Sequence, residues 1–147
     1  MLAKSERTTQ DKEDGIQELM NKLQLDVIFL SETFRASPEN FSSQIEFLSR
    51  AGFCAIEMTN ADRRRGIQFR VRSHFDPLLN PTLCFKDSHV EILSITIRGL
   101  MIIGVHAPDG KETGRTDVLL SILDRAVITG YGTIIVTGDP NAQACAL

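Results

Sequence analysis

Tryptophan is absent from this 147-residue chain, tyrosine occurs once, and there are only three cysteines. With no tryptophan and a single tyrosine beside eight phenylalanines, the sequence gives no specific support for stacking on single-stranded nucleic acid. Cys54, Cys84 and Cys145 are far apart and have no Cys-x-x-Cys spacing, which argues against a zinc or redox site. Reduced thiols in an intracellular protein are therefore expected.

Long apolar segments and an excess of basic charge are also missing. The apolar runs are strand-sized, far below the ~20 residues that span a bilayer, and the first residues show no secretory signal pattern. We therefore expect no membrane contact and a nuclear or cytoplasmic location. The net charge of −3 gives no overall attraction to nucleic acid, so any such contact requires a local basic patch.

Apolar periodicity predicts alternating helices and strands. Residues 1–10 are polar and aperiodic and are predicted to be disordered, so that the folded domain covers 11–147. Helices are predicted over about 11–23, 38–51 and 115–129. The predicted strands are 27–30, 53–58, 66–73, 82–86 and 133–136, together with a hairpin that turns at Arg98-Gly99. This order predicts an α/β fold, a mixed β-sheet with flanking helices.

Two of the predicted strands differ in their apolar pattern. Val27 to Leu30 is continuously apolar, which predicts a strand covered on both faces. The segment 66–73 alternates instead, so that Gln68, Arg70 and Arg72 share one side, and we expect that side to be wet.

Polar residues follow two of the predicted strands directly. Glu32 comes after Asp-Val-Ile-Phe-Leu, and Gly138-Asp139-Pro140-Asn141 comes after Thr-Ile-Ile-Val-Thr. Active sites of α/β proteins gather at the carboxyl ends of strands, and two carboxylates there could bind Mg²⁺, which prefers oxygen ligands. Considered singly, each segment also suits a helix cap or a turn.

Basic residues are concentrated in one part of the sequence. Arg63, Arg64 and Arg65 are consecutive, and Arg70 and Arg72 follow on one face of the predicted strand. This group is a candidate nucleic-acid-binding patch that contacts phosphates. The alternative is a solvated turn, which is the usual role of a short charge run.

Four segments, taken together, resemble the endonuclease/exonuclease/phosphatase superfamily, the metal-dependent phosphodiesterase fold. They occur in the family's order over roughly residues 12–143: LQLDVIFLSETF, RRRGIQFRVRS, VEILSITIRGLMIIGVHAPDG and IIVTGDPNAQ. Within the family, the Leu-Ser-Glu-Thr sequence of the first segment most resembles the endonuclease domains of non-LTR retrotransposons. The resemblance implies that Glu32 binds Mg²⁺ or Mn²⁺, Asp139 activates or orients the attacking water, and Asn141 holds the scissile phosphate. His106 occupies the place of a tyrosine in many members.

The chain also departs from the family. The family's first strand carries an asparagine near the metal, whereas residues 1–10 offer none, and the C-terminal Asp-His motif has no counterpart. Pro140 stands where an aromatic residue is usual. The resemblance thus implies a partial domain, about half of the two-sheet α/β sandwich. We expect an uncovered apolar sheet face, and a second copy or another protein that covers it.

Three functions follow as hypotheses. The chain is a truncated endonuclease-like phosphodiesterase that hydrolyses nucleic-acid phosphodiester bonds when a partner completes its site. The alternative is a non-catalytic remnant of that fold, acting as a binding or structural subunit of a larger assembly. A third hypothesis is an unrelated α/β domain that binds a small phosphorylated ligand at its strand ends.

Overall fold

The computed structural model describes residues 4–33, 38–59, 66–77, 84–86, 90–107, 115–128, 130 and 132–139. Within these ranges the helices are α1 (Lys4–Lys22), α2 (Pro38–Arg50) and α3 (Arg115–Ile128). The strands are β1 (Val27–Ser31), β2 (Phe53–Thr59), β3 (Gly66–Arg72), β4 (Cys84–Lys86), β5 (Glu91–Ile97), β6 (Leu100–His106) and β7 (Thr133–Asp139). The predicted mixed α/β fold is confirmed.

The strands form two sheets rather than one. The first sheet is antiparallel in the order β1-β3-β2, and the second has the order β4-β5-β6-β7. In the second sheet β5 and β6 form the predicted hairpin, and β7 pairs parallel to β6 after the α3 crossover. Arg98 and Gly99 both have positive φ (48° and 81°), as the two central residues of a type I′ hairpin turn require.

An apolar layer lies between the two sheets. It joins β3 to β5 and β6, and its buried members are Ile67, Phe69, Val71, Leu93, Ile95, Ile97 and Ile102. The expectation of an uncovered inner sheet face is therefore wrong, and the argument for a second chain over that face loses its basis. The error arose because strand periodicity shows which face of a strand is apolar but not which sheet the strand joins.

Helices α1 and α2 cover the other face of the first sheet. Gln68 is completely buried and Arg70 is 1% exposed, so the predicted wet face of β3 is wrong. The Arg70 guanidinium lies 2.8 Å from Oε2 of Glu13 on α1, and Gln68 bonds Gln44 on α2 at 3.0 Å. This face is polar in sequence because it binds the helices through hydrogen bonds and an ion pair, not because it meets water.

Helix α3 covers the outer face of the second sheet. Ile122 and Ala126 of α3 pack in one buried cluster with Met101, Ile103 and Val105 of β6. Strand β7 is much less covered, because the side chains of Ile135 and Val136 are 46% and 45% exposed.

Helix α1 begins earlier than predicted. It includes residues 4–10, which we expected to be disordered, and it runs without interruption to Lys22. The polar composition gave the wrong expectation here, since the segment contains neither proline nor glycine to stop a helix.

None of the helices in the described ranges combines the length and the apolar character that crossing a bilayer requires.

The glycine inside α1 offers a direct test of its helical state. Gly15 is exposed, and a Cβ added there would meet nothing within 4 Å. Gly15→Ala should therefore raise the free energy of unfolding by about 0.5–1 kcal/mol, because alanine loses less conformational entropy on forming a helix. Urea denaturation measures the change. A neutral or destabilising result would contradict a helix at this position.

Candidate active site

The two sheets approach closely at one place, where the ring of Phe29 on β1 meets β6 and β7. Gly104 and Gly138 lie against this ring, and a Cβ added to either glycine would overlap it. At Gly138 the added atom would also overlap the Val105 carbonyl oxygen. Because neither glycine has a side chain, the carboxyl end of β1 can approach those of β6 and β7.

Glu32 follows β1 directly and has an unusual backbone conformation. Its φ is +55°, a value that is uncommon for residues other than glycine and that gathers at functional sites. The next residue, Thr33, donates its backbone N–H to the Gly66 carbonyl at 3.2 Å, which fixes the loop to β3. The Glu32 side chain is 55% exposed, so a ligand from solvent can reach its carboxylate.

His106 ends β6 and points into the space between the sheets. Its side chain is 4% exposed, and Nε2 lies 3.8 Å from Oε1 of Glu32. That distance is too long for a hydrogen bond. The two groups belong to different sheets, so the packing around Phe29 sets their separation.

Glu91 is the third member of the site and was missed from the sequence. It stands opposite His106 in the β5–β6 register, and its Oε1 lies 3.2 Å from Nδ1 of His106. The Glu91 side chain is completely buried. A signal existed in the sequence, because strand alternation places this carboxylate in one row with Leu93, Ile95 and Ile97, where a charge needs a partner.

Asp139 ends β7 beside His106, its partner in the parallel register. Its carbonyl oxygen accepts the backbone N–H of Ala107 at 2.9 Å, which extends the pairing past the end of β6. Asp139 is exposed. Asn141 lies outside the described residues. The structure thus brings Glu32, His106 and Asp139 to one edge of the two-sheet layer and adds Glu91 to them.

The predicted basic patch is only partly testable. Arg63, Arg64 and Arg65 lie outside the described residues. Arg70 is buried against Glu13, so its guanidinium cannot reach a phosphate, and that prediction is wrong. Arg72 is 25% exposed, donates to the Leu25 carbonyl at 3.0 Å and lies 4.9 Å from the centre of the Phe53 ring. These contacts give Arg72 a structural role, because they join β3 to the residues between α1 and β1 and to β2.

A metal site enclosed by protein ligands is not found in the described part of the chain. No group of three or more His, Cys, Asp and Glu side chains there is arranged to hold an ion. Carboxylates at the edge of the sheets would instead share an ion with water, as is usual for Mg²⁺ in proteins.

Comparison with known proteins gives structural matches only. No protein-family model matches the sequence, and a search of curated proteins gives no match. A truncated TDP2 from Caenorhabditis elegans matches with a TM-score of 0.60 and 13% identity, covering 88% of this chain and 54% of that one. The 3′-5′ exonuclease NExo from Neisseria meningitidis matches with a TM-score of 0.63 and 17% identity, covering 87% and 52%.

Two further matches are similar in extent. TDP2 from D. rerio, complexed with a single-strand DNA product, matches with a TM-score of 0.62 and 19% identity, covering 91% of this chain and 55% of that one. An AP endonuclease from Archaeoglobus fulgidus matches with a TM-score of 0.56 and 15% identity, covering 85% and 50%. The chain spans about half the length of these proteins. It therefore has about half of the two-sheet α/β sandwich of the endonuclease/exonuclease/phosphatase fold.

Proposed function

We propose that the chain carries part of a metal-dependent phosphodiesterase site that hydrolyses nucleic-acid phosphodiester bonds weakly by itself and at full rate when a partner completes it. The observation that carries the proposal is the meeting of Glu32, His106 and Asp139 at one edge of two packed sheets. Their side chains come from three strand ends far apart in the sequence. Rigid strand ends hold reacting groups in place better than flexible loops do.

The structural matches support nucleic acid as the substrate class. One is named as an exonuclease and one as an AP endonuclease, and one is bound to a DNA product. The Leu-Ser-Glu-Thr segment around Glu32 supports a finer proposal, that the relatives are endonucleases of non-LTR retrotransposons and the substrate is DNA. A location inside the cell follows from the same proposal.

The residues at the edge fit Mg²⁺ or Mn²⁺ bound through few protein ligands. The Glu32 carboxylate is a hard oxygen donor, and its exposure leaves room for coordinated water. In this proposal Glu32 holds the ion, with Asp139 near it. A bound ion of this kind would neutralise charge that builds on the phosphate oxygens.

Other side chains would act on the substrate directly. Asp139 is exposed at the end of β7, where its carboxylate can accept a hydrogen bond from the attacking water and so orient it. Asn141 would donate its amide N–H to the scissile phosphate. His106 contributes Nε2, which faces the same space as the Glu32 carboxylate. The imidazole ring of His106 is buried, and this burial holds Nε2 in place.

A non-catalytic binding subunit is the second candidate function, and β7 favours it. Ile135 and Val136 on this strand are about half exposed, and an exposed strand can accept another strand along its edge. In that case the residues at the sheet edge would have no chemical role, and a second chain would bind along β7.

Nicking of supercoiled plasmid DNA distinguishes the two candidates. The native chain with Mg²⁺ should nick the plasmid, EDTA should stop it, and Glu32→Gln and Asp139→Asn should each lower the rate by about 10²-fold, the usual effect of removing one group that stabilises the transition state. Glu18→Gln and Asp124→Asn change exposed carboxylates away from the site and serve as matched controls. Absence of nicking, or nicking that both site variants retain, would favour the binding subunit.

A further inference from the structure

We propose that Glu91 is a positioning residue for His106. Its carboxylate accepts a hydrogen bond from Nδ1–H of His106 and thereby directs Nε2 into the space beside Glu32. The inference rests on the proposed function for its catalytic consequence. The hydrogen bond itself can be tested without any activity.

The geometry of the two strands supports this pairing. Glu91 and His106 are opposite residues of an antiparallel pair, which places their Cβ atoms about 4.5–5.5 Å apart. Nδ1 and Oε1 lie 3.2 Å apart. The side chains are 0% and 4% exposed, so water cannot substitute for either partner. The orientation of the imidazole ring is therefore set by Glu91.

The surroundings of Glu91 argue against a role in packing alone. Its neighbours on the same face of β5 are Leu93, Ile95 and Ile97, all buried in the layer between the sheets. An apolar side chain would fit that row and would avoid the unfavourable free energy of burying a carboxylate. A buried carboxylate at this position needs polar partners, and Nδ1 of His106, at 3.2 Å, is one of them.

The hydrogen bond decides which ring nitrogen faces the site. A carboxylate can only accept, so Nδ1 must carry the proton that it receives. In a neutral ring this leaves the lone pair on Nε2, the nitrogen that lies 3.8 Å from Glu32. Histidines in active sites and metal sites are oriented in this way by a carboxylate on the other nitrogen.

Nitrogen NMR of the ¹⁵N-labelled chain tests the hydrogen bond. The one-bond ¹⁵N–¹H coupling should show a proton on Nδ1 of His106, whose signals are assigned by their loss in His106→Gln. In Glu91→Leu, which fits the apolar row, the proton of the neutral ring should move to Nε2. Glu18→Gln changes an exposed carboxylate on α1 and should leave the His106 signals unchanged.

Two NMR results would overturn the inference. One is an Nδ1 of His106 without a proton in the native chain. The other is a proton that stays on Nδ1 in Glu91→Leu. Glu91→Gln guards against misfolding of the leucine variant, because it keeps the shape and polarity of the side chain. In this variant the amide should weaken the preference for Nδ1–H, and a proton distribution equal to that of the native ring would also contradict the inference.

Plasmid nicking then tests the catalytic consequence. Glu91→Gln should lower kcat by about tenfold or more, the range seen when the partner of a site histidine is changed, with KM nearly unchanged. Glu18→Gln should keep the native kcat. If the native chain does not nick DNA, the proposed function fails while the NMR result still decides the pairing. If Glu91→Gln shifts the proton but nicks at the native rate, the positioning role is refuted.

Discussion

Gly138→Ala should lower the free energy of unfolding by about 3–5 kcal/mol, because backbone strain and overpacking act together at this position. Gly138 has a φ of +113°, which alanine adopts only with strain. Its new Cβ would overlap the Val105 carbonyl oxygen, which is backbone of the neighbouring strand, and the ring of Phe29. Neither can move without separating β7 from β6 or β1 from both. Urea denaturation of the variant and the native chain measures the loss.

Substitutions at two other glycines distinguish the effect of backbone strain from that of overpacking. Gly130 has a φ of +79° with nothing within 4 Å of an added Cβ, so Gly130→Ala should show the strain alone, about 1–2 kcal/mol. Gly104→Ala should show the overlap, because the three atoms nearest to the added Cβ all belong to the Phe29 ring, and adding Phe29→Leu should restore part of the loss. A Gly138→Ala variant no less stable than Gly130→Ala would mean that the sheets do not meet closely at Phe29.

Arg70→Met should destabilise the protein by about 3–5 kcal/mol, because it removes one partner of a buried ion pair and leaves the other charge uncompensated. The Arg70 side chain is 1% exposed and that of Glu13 is 17% exposed. Arg70 also donates to Gln68 at 2.6 Å, so the substitution removes a hydrogen bond on β3 as well. Thermal and urea unfolding measure the change.

The matched control is an exposed pair on α2. Arg50 and Glu46 lie 2.6 Å apart, with side chains 78% and 67% exposed, and Arg50→Met should cost less than about 0.5 kcal/mol. Changing Glu13 to leucine together with Arg70→Met should recover part of the stability, since no lone charge then remains. Equal losses for Arg70→Met and Arg50→Met would contradict the buried position of Arg70.

Local patterns predicted the elements of this fold well. The β5–β6 hairpin followed from Arg98-Gly99 between two apolar runs, and α2 begins at Pro38 and ends before Gly52 (φ +85°), as these residues predicted. The pairing of the strands into two sheets could not be predicted from these local patterns. Nothing in the alternation of β3 shows that its apolar side meets β5, or that helices cover Arg70, because such contacts join residues distant in sequence.

The site shows the same division between local and distant information. Glu32 and Asp139 were predicted from their places after apolar strands, and the structure brings the ends of β1 and β7 to one edge. The role of Arg70 was predicted wrongly because a charged residue on an alternating strand was taken to face water. Glu91 was missed because its importance depends on His106, which only the hairpin register places opposite it.

The origin of the site in two separate sheets bears on partly unfolded states of the protein. Glu32 extends from one sheet, whereas Glu91, His106 and Asp139 belong to the other, so the packing between the sheets brings Glu32 to the other three. A molten globule can keep its secondary structure while this packing is lost. Under mild acid or low denaturant, the far-ultraviolet circular dichroism would then remain native-like after Glu32 had separated from the other three residues.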